Sequence, residues 1–129
     1  MIFVDTSAFF ALADRADKHH ARAKAVLAEL TKTQEELFTH SYVVVETAAL
    51  MQRRLGWSVA NRFLRDMKRF PVVWVDAKLH GLGAQSFLEA RARAISLVDF
   101  VSFSLMKQRE SRRAFAFDDD FPKAGFDIV

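Results

Sequence analysis

The sequence lacks cysteine altogether, which excludes disulfide bonds and thiolate-ligated metal sites. It also lacks any apolar run close to the roughly 20 residues that a membrane-spanning helix needs. Prolines number only two and glycines four in 129 residues, and 51% of the residues are hydrophobic, as in a compact globular protein. The amino terminus has neither a basic region nor a small-residue cleavage motif, so we expect no export signal and a cytoplasmic location. We expect a single domain over residues 1–129.

Short apolar runs alternate with helical patterns along the chain, and this alternation is typical of a parallel α/β protein. We therefore predict a three-layer α/β/α fold with a doubly wound sheet in the order 3-2-1-4-5. Four strands are predicted at residues 2–5, 37–40, 72–75 and 114–117, and a fifth at the sheet edge is an option at residues 126–129. Helices are predicted at residues 6–12, 19–32 and 41–55, from Ser58 to a stop before Pro71, and at residues 77–90 and 96–110. Gly81 and Gly83 are expected to weaken the fifth helix.

Four carboxylates stand out from the apolar residues around them. Asp5 and Asp118 each follow a predicted strand, and because strands one and four are neighbours in the expected order, both acids lie at the edge where such sheets bind ligands. Glu46 lies about one and a half turns into an otherwise apolar helix that starts at the same edge. Asp99 is also flanked by apolar residues, although the sequence does not show how the chain returns it to that edge.

Each of these acids also has a purely structural explanation. Asp5 is a good N-cap for the helix that follows, although Thr6 or Ser7 is suited to that role as well. Ser96 and Asp99 have the spacing of a capping box. Asp118 could be a solvated loop acid, and the two aspartates that follow it leave open which carboxylate points inward. For Glu46 the explanation is weaker, because an unpaired charge on a buried helix face costs several kcal/mol.

Two further residues near predicted strand ends are left out of the site. Asp76 ends strand three, which lies at the sheet edge away from the switch point, so we interpret it as a helix cap only. His40 ends strand two, but a lone histidine is more often structural than a ligand.

Mutual repulsion decides what a cluster of four carboxylates would need. Two carboxylates about 5 Å apart repel by roughly 3 kcal/mol at an effective dielectric constant of about 20, and four acids make six such pairs. A divalent cation removes this penalty. Oxygen ligands without thiolates favour Mg²⁺ or Mn²⁺.

The positive charge is distributed unevenly, although its excess over negative charge is only +3. The two basic regions, equally compatible with solvated helix faces and with phosphate contact, are Arg53, Arg54, Arg62, Arg65, Lys68 and Arg69, and Lys107, Arg109, Arg112 and Arg113. The 13 phenylalanines exceed what one small core usually requires, so some are candidates for an interaction surface.

An ordered set of motifs carries a family resemblance over essentially the whole chain. The motifs are Phe-Val-Asp-Thr-Ser-Ala at the start, Asp-Lys-His-His before the first long helix, Thr-His-Ser-Tyr-Val-Val-Val-Glu-Thr, Ser-Leu-Val-Asp-Phe-Val-Ser-Phe and the closing Phe-Asp-Asp-Asp-Phe-Pro-Lys-Ala-Gly-Phe. With this spacing the chain resembles the PIN-domain ribonucleases, particularly the VapC-type toxins of bacterial toxin–antitoxin systems.

The resemblance implies a metal site and a partner. It assigns the ligands to Asp5, Glu46, Asp99 and Asp118, with Thr6 or Ser7 near the metal. It also implies an RNA substrate, a small antitoxin that wraps an apolar groove and blocks the acids, and a homodimer. One departure stands out: relatives often carry Thr directly before the third acid, where this chain has Val98, so a hydrogen bond to Asp99 is expected to be missing.

The leading hypothesis is therefore a Mg²⁺- or Mn²⁺-dependent endoribonuclease, the toxin of a toxin–antitoxin pair. The alternative is a weak or inactive module of the same family that acts by binding protein or RNA. A phosphatase of the haloacid dehalogenase type is disfavoured because Asp5-Thr6-Ser7 lacks the second acid of an Asp-x-Asp motif. A receiver domain is disfavoured because no acidic pair follows strand one.

Overall fold

Five parallel strands form one sheet, in the order β3-β2-β1-β4-β5, in the computed structural model, which describes residues 1–129. The strands are β1 (Ile2–Val4), β2 (Leu37–His40), β3 (Val72–Val73), β4 (Arg113–Phe115) and β5 (Asp127–Ile128). In register, Ile2 of the central strand lies beside Leu37 of β2 on one side and Arg113 of β4 on the other. The predicted fold class and strand order are confirmed, including the edge strand β5.

Seven helices connect the strands and cover the sheet. They are α1 (Thr6–Ala13), α2 (His20–Lys32), α3 (Ser41–Leu55), α4 (Trp57–Met67), α5 (Ala77–Ala90), α6 (Leu97–Gln108) and α7 (Asp120–Lys123). Helix α3 packs on α1 and α4, and α5 packs on α6 in the connection between β3 and β4. The α3 helix begins directly after β2, so its first turns stand at the carboxyl edge of the sheet. None of the helices has the length and apolar character that crossing a membrane requires.

The core accounts for most of the phenylalanines. Nine of the 13 are buried, and only Phe87, 40% of whose surface is accessible, is a strongly exposed one. Phe3 on β1 is fully buried and contacts Phe38 edge-to-face and Phe121 in a stacked arrangement. Ile2, Phe3 and Val4 are all buried, as expected of a central strand covered on both faces. Most of the phenylalanines therefore pack in the core.

Gly83 has a packing role that its effect on helix propensity did not indicate. The α5 helix runs through both glycines, and a Cβ on Gly83 would lie 2.5 Å from Cγ2 of Val101 on α6. A Cβ on Gly81 would meet nothing within 4 Å. The expectation that Gly83 only weakens α5 was therefore incomplete, because its missing side chain is what lets α6 approach.

Candidate metal centre

Asp5 stands directly after β1 and is buried, with 3% of its surface accessible. Its Oδ2 atom accepts hydrogen bonds from the Ser7 backbone N–H at 3.1 Å and the Ser7 hydroxyl at 2.7 Å, so Asp5 does cap α1. Its Oδ1 atom is also buried but has no hydrogen-bond partner. Capping uses one carboxylate oxygen only, and the second remains available to a ligand.

Three of the four predicted acids converge at this point. Asp5, Asp99 and Asp118 each offer a carboxylate oxygen, and these atoms all lie within 4.8 Å of one another. Asp99 comes from the first turn of α6 and Asp118 from the segment after β4. Residues 91–96, which connect α5 to α6, return the chain to the carboxyl edge of the sheet, where α6 begins.

Glu46 lies beside this group of three rather than in it. Its Oε1 atom accepts a 2.7 Å hydrogen bond from the Thr6 hydroxyl, and Thr6 in turn accepts one from the Thr47 hydroxyl at 3.1 Å. Desolvation is the largest influence on Glu46 and raises its pKa, and the charges of Asp99 and Asp118 raise the pKa further. The carboxylate is therefore positioned next to the group and under its electrostatic influence. Thr47 was not predicted, although it directly follows Glu46 in the Val-Glu-Thr motif.

Asp99 is held by Ser96 at the start of α6. Its Oδ2 atom accepts hydrogen bonds from the Ser96 N–H at 3.0 Å and the Ser96 hydroxyl at 3.1 Å, and Ser96 Oγ accepts one from the Asp99 N–H at 3.2 Å. The predicted capping box is thus present. Val98 donates no side-chain hydrogen bond to Asp99, as expected. The hydrogen bonds that hold the Asp99 carboxylate come from Ser96 instead.

Asp118 is the member of its acidic run that belongs to the group of three. Its Oδ1 atom accepts a 3.0 Å hydrogen bond from the Asp120 N–H, which begins the short helix α7. Asp119 is exposed. The Ser7 hydroxyl also accepts a 2.9 Å hydrogen bond from the Phe117 N–H, so the segment before Asp118 is tied to the end of β1.

The carboxylates hold their protons more tightly than isolated acids do. Burial is the largest cause and raises the pKa of both Asp5 and Asp118 to about 6. Mutual repulsion adds to this, since the charge of Asp99 acts on Asp5 and the charge of Asp5 acts on Asp118. Burial also raises the pKa of Asp99. The penalty expected for a gathered set of carboxylates is therefore present in the structure.

These residues fit a divalent cation held by oxygen ligands. The donor set consists of carboxylates and hydroxyls, the group that Mg²⁺ and Mn²⁺ prefer. The unpartnered, buried Oδ1 of Asp5 is the strongest sign, because such an atom is costly unless a ligand satisfies it. A cation here would contact oxygens of Asp5, Asp99 and Asp118, with Glu46 adjacent.

Two residues excluded from the site have structural roles. The Asp76 carboxylate accepts a 2.8 Å hydrogen bond from the Leu79 N–H and caps α5. His40 is fully buried, caps α3 through Nδ1 and contacts the Ser102 hydroxyl through Nε2 at 2.8 Å. Because Nδ1 accepts the Val43 N–H, the Nε2–H donates to Ser102, and burial lowers the pKa of His40 to about 4.

The basic regions remain at the surface, with one residue in an ion pair. Arg113 lies 2.8 Å from Glu35, which also lies 3.6 Å from the amino terminus, at the edge of the sheet opposite the acids. The other nine residues are exposed.

Comparison with known proteins gives a consistent result. The family model described as PIN domain matches residues 2–127. The chain is 35% identical over 128 residues to the 23S rRNA-specific endonuclease VapC20 of Mycobacterium tuberculosis, covering 98% of this chain and 95% of that protein. The crystal structure of VapC20, described as a sarcin–ricin loop cleaving toxin, matches with a TM-score of 0.86 at 32% identity, over 98% of this chain and 96% of that one.

A more distant structure shares the fold. FitAcB from Neisseria gonorrhoeae matches with a TM-score of 0.71 at 18% identity, over 100% of this chain and 96% of that chain.

Proposed function

The chain belongs to the PIN-domain family of nucleases, and from that premise we propose that it is a Mg²⁺- or Mn²⁺-dependent endoribonuclease with Asp5, Glu46, Asp99 and Asp118 as its acidic site. The observation that carries this proposal is the convergence of three carboxylates, each with an oxygen within 4.8 Å of the others, together with a buried Asp5 oxygen that has no hydrogen-bond partner. The alternative of an inactive binding module is not favoured, because the acids are gathered and Asp99 keeps its hydrogen-bond support despite Val98.

The chain's own residues prepare the site for hydrolysis. Ser7 holds Oδ2 of Asp5, so that Oδ1 is left without a hydrogen-bond partner, and Ser96 holds Oδ2 of Asp99 in the same way. Thr6 holds Oε1 of Glu46. When bound, a divalent cation would polarise the scissile phosphodiester and lower the pKa of an attacking water. The preorganised oxygens require little rearrangement, which is the property that makes electrostatic catalysis effective.

A pair of matched substitutions tests this proposal. Asp5→Asn should abolish metal-dependent RNA cleavage and leave the fold intact, since asparagine caps a helix about as well as aspartate. Asp76→Asn is the control, because Asp76, like Asp5, follows a strand and caps a helix, but lies outside the acidic site. Cleavage of labelled RNA and circular dichroism would be measured for both. Undiminished cleavage by Asp5→Asn would end the proposal.

We propose that the substrate is the sarcin–ricin loop of large-subunit ribosomal RNA. The support is the likeness to VapC20 over nearly the whole length of both chains. Incubation with intact ribosomes followed by primer extension should show one cut in that loop. Cuts scattered over many RNAs would contradict this specificity while leaving the nuclease proposal in place. A ribosomal substrate also favours action in the cytoplasm. We propose that the chain acts there as a single domain.

We further propose a small antitoxin as partner, seated in an apolar groove of the molecule. This groove, of about 970 Å³, lies between α1, α2 and α4. Its floor includes Phe9, Met51, Phe63 and Phe70, and its rim carries Arg15, Lys24 and Arg62 with one acid, Asp66. An apolar floor with a mainly basic rim suits an amphipathic helix that has acidic flanks.

Neutralisation by a co-encoded protein tests the partner. A small protein encoded next to this gene should suppress RNA cleavage by the wild type, and Arg62→Glu should weaken that suppression. Lys32→Glu, an exposed change of equal charge on α2, should not. Equal suppression of both variants would place the partner elsewhere.

A homodimer is the remaining proposal, and exposed apolar residues on α5 support it. Leu88 is 70% accessible, and Leu82 and Phe87 are each 40% accessible. Light scattering should give twice the mass of the chain for the wild type, and Leu88→Asp should shift it to the monomer if this face forms the contact.

A further inference from the structure

A second, smaller cavity of about 300 Å³ lies between α5, α6 and α7. Its apolar wall is formed by Ile95, Phe100 and Phe103. The polar side includes Ser104, Lys107, Lys123 and Asp120. The volume is at the lower end of the roughly 300–1,000 Å³ that small-molecule sites occupy.

The cavity adjoins the acidic site through two direct links. Phe100 immediately follows Asp99 in the first turns of α6, and the charge of Asp120, which lines the cavity, raises the pKa of Asp99. On the other side, the Asp120 N–H donates to Asp118 Oδ1 at 3.0 Å. An RNA strand bound at the acids would therefore have this cavity as its neighbour.

The cavity carries a net positive charge, whereas the acidic site is negative. The ion pairs in the structure involve only Glu35, so Lys107 and Lys123 are free of carboxylate partners. Against Asp120 they leave one net positive charge. Lys107 lies eight residues beyond Asp99 on α6, about 12 Å along the helix axis. That separation suits a phosphate flanking the scissile one, and not the scissile phosphate itself.

The aromatic wall supplies a face for a nucleobase. Phe100 is half-buried and contacts Phe87 and Phe103 edge-to-face. Its ring is thus fixed in orientation while part of it stays accessible. Stacking of bases on such rings, combined with cationic contacts to the backbone, is how proteins hold single-stranded nucleic acid.

We infer that this cavity is a nucleotide subsite, which binds one RNA residue next to the scissile bond with its base against Phe100 and a phosphate on Lys107 and Lys123. The inference rests on the proposed ribonuclease function and adds to it the surface that positions the strand. Phe100 and the two lysines are positioning residues and not catalytic ones.

The electrostatic half of the inference is tested by salt dependence. A fluorescent RNA oligonucleotide containing the sarcin–ricin loop would be titrated with Lys107→Ala, Lys123→Ala and Lys32→Ala, all in the non-cleaving Asp5→Asn background. Loss of one phosphate contact should reduce the slope of log K against log salt by about 0.7 for each cavity lysine. Lys32 is the control because it ends α2 three residues before Glu35, at the opposite edge of the sheet. Slopes for the cavity variants equal to that of Lys32→Ala would overturn the inference.

The stacking half is tested by removing bases one at a time. RNAs with a single abasic position should show one position, beside the cut, where affinity falls roughly 5- to 150-fold. With the RNA that is abasic at that position, Phe100→Leu should cause no additional loss of affinity, although it weakens binding of intact RNA. Phe100→Tyr should restore the affinity for intact RNA. Leucine keeps an apolar side chain at this half-buried position, which limits any folding defect. Additive losses from the abasic site and Phe100→Leu would contradict stacking.

Failure of this inference is distinguishable from failure of the proposed function. If the protein with Asp5 intact cleaves the RNA but the cavity variants behave like Lys32→Ala, only the subsite is wrong. If the intact protein cleaves no RNA, the proposed function itself fails.

Discussion

At the scale of single residues, Ser7 connects the two strand ends that carry acids. Its hydroxyl donates to Asp5 Oδ2 at 2.7 Å and accepts from the Phe117 N–H at 2.9 Å, one residue before Asp118. One hydroxyl thus sets the orientation of one carboxylate and the path of the segment that carries another.

Removal of that hydroxyl should therefore affect both stability and activity. Ser7→Ala leaves the Phe117 N–H without its partner, at an expected cost of about 1–3 kcal/mol in the free energy of unfolding. RNA cleavage should fall at least tenfold, because Asp5 and Asp118 lose their common anchor. Thermal unfolding and cleavage kinetics would be compared with Ser7→Thr, which keeps the hydroxyl. A Ser7→Ala protein as active as Ser7→Thr would contradict this role.

Protonation of the acids should set the pH dependence of metal binding. The pKa of Asp5 and of Asp118 is raised to about 6, first by burial and then by neighbouring carboxylates. Both groups must lose their protons to bind a cation, so Mn²⁺ affinity should fall steeply as the pH decreases through about 6. Calorimetric titration at pH 7.5 and at pH 5.5 would measure this. Equal affinity at the two pH values would show that these carboxylates are not ligands.

At the scale of secondary-structure elements, the contact between α5 and α6 determines where Asp99 lies. The two helices lead from β3 to β4, and they approach closely where Gly83 faces Val101. Asp99 is half a turn before Val101 on the same helix. A change in this contact would therefore displace the third acid as well as the helix.

Two glycine substitutions on α5 separate this packing effect from helix propensity. Gly83→Ala places a Cβ 2.5 Å from Val101 Cγ2 and 3.0 Å from its backbone, so it should destabilise the protein by about 1–3 kcal/mol and weaken metal binding. Gly81→Ala meets nothing within 4 Å and should stabilise the helix by about 0.5–1 kcal/mol. Chemical denaturation of both variants measures the contrast. Similar stability of the two would show that α6 shifts without cost.

At the scale of the whole molecule, folding gathers carboxylates from four distant segments. Residues 5, 46, 99 and 118 meet only in the native structure, so their mutual repulsion and desolvation oppose folding of the entire chain. Asp5 and Asp118 bind protons more tightly when folded, so stability of the metal-free protein falls as the pH rises from about 4 through about 6. His40, whose pKa is lowered to about 4, acts in the opposite direction as the pH falls below 6.5.

Metal binding should therefore reverse the order of stability of wild type and Asp5→Asn. After treatment with a chelator at pH 7.5, Asp5→Asn should be the more stable, by up to about 3 kcal/mol, which corresponds to the displacement of the Asp5 pKa to about 6. This advantage should shrink at pH 5. Mg²⁺ at a hundredfold excess over its Kd should stabilise only the wild type, by about 2.7 kcal/mol. Thermal melts with and without Mg²⁺ test the reversal, and identical responses of both proteins would refute it.

The sequence by itself determined the layout of the fold and the candidate acids. Strands and helices follow from periodic burial, which is a local property, and β2 and α3 begin and end at the predicted residues. Acids that end apolar strands, such as Asp5, can be recognised because few buried positions tolerate a charge. The same local signal identified Asp76 as a cap. For Asp5, capping and site geometry turned out to use different oxygens, so the two interpretations were not exclusive.

Only the tertiary structure decided which acids meet. Asp99 reaches Asp5 because α5 and α6 pack as a pair, and that depends on a contact between Gly83 and Val101 that no local pattern reveals. The inward direction of Asp118 likewise depends on the turn into α7 and on the hydrogen bond from Phe117 to Ser7. Convergence of this kind results from packing summed over the whole chain, whereas a sequence pattern reports only the preferences of its own segment.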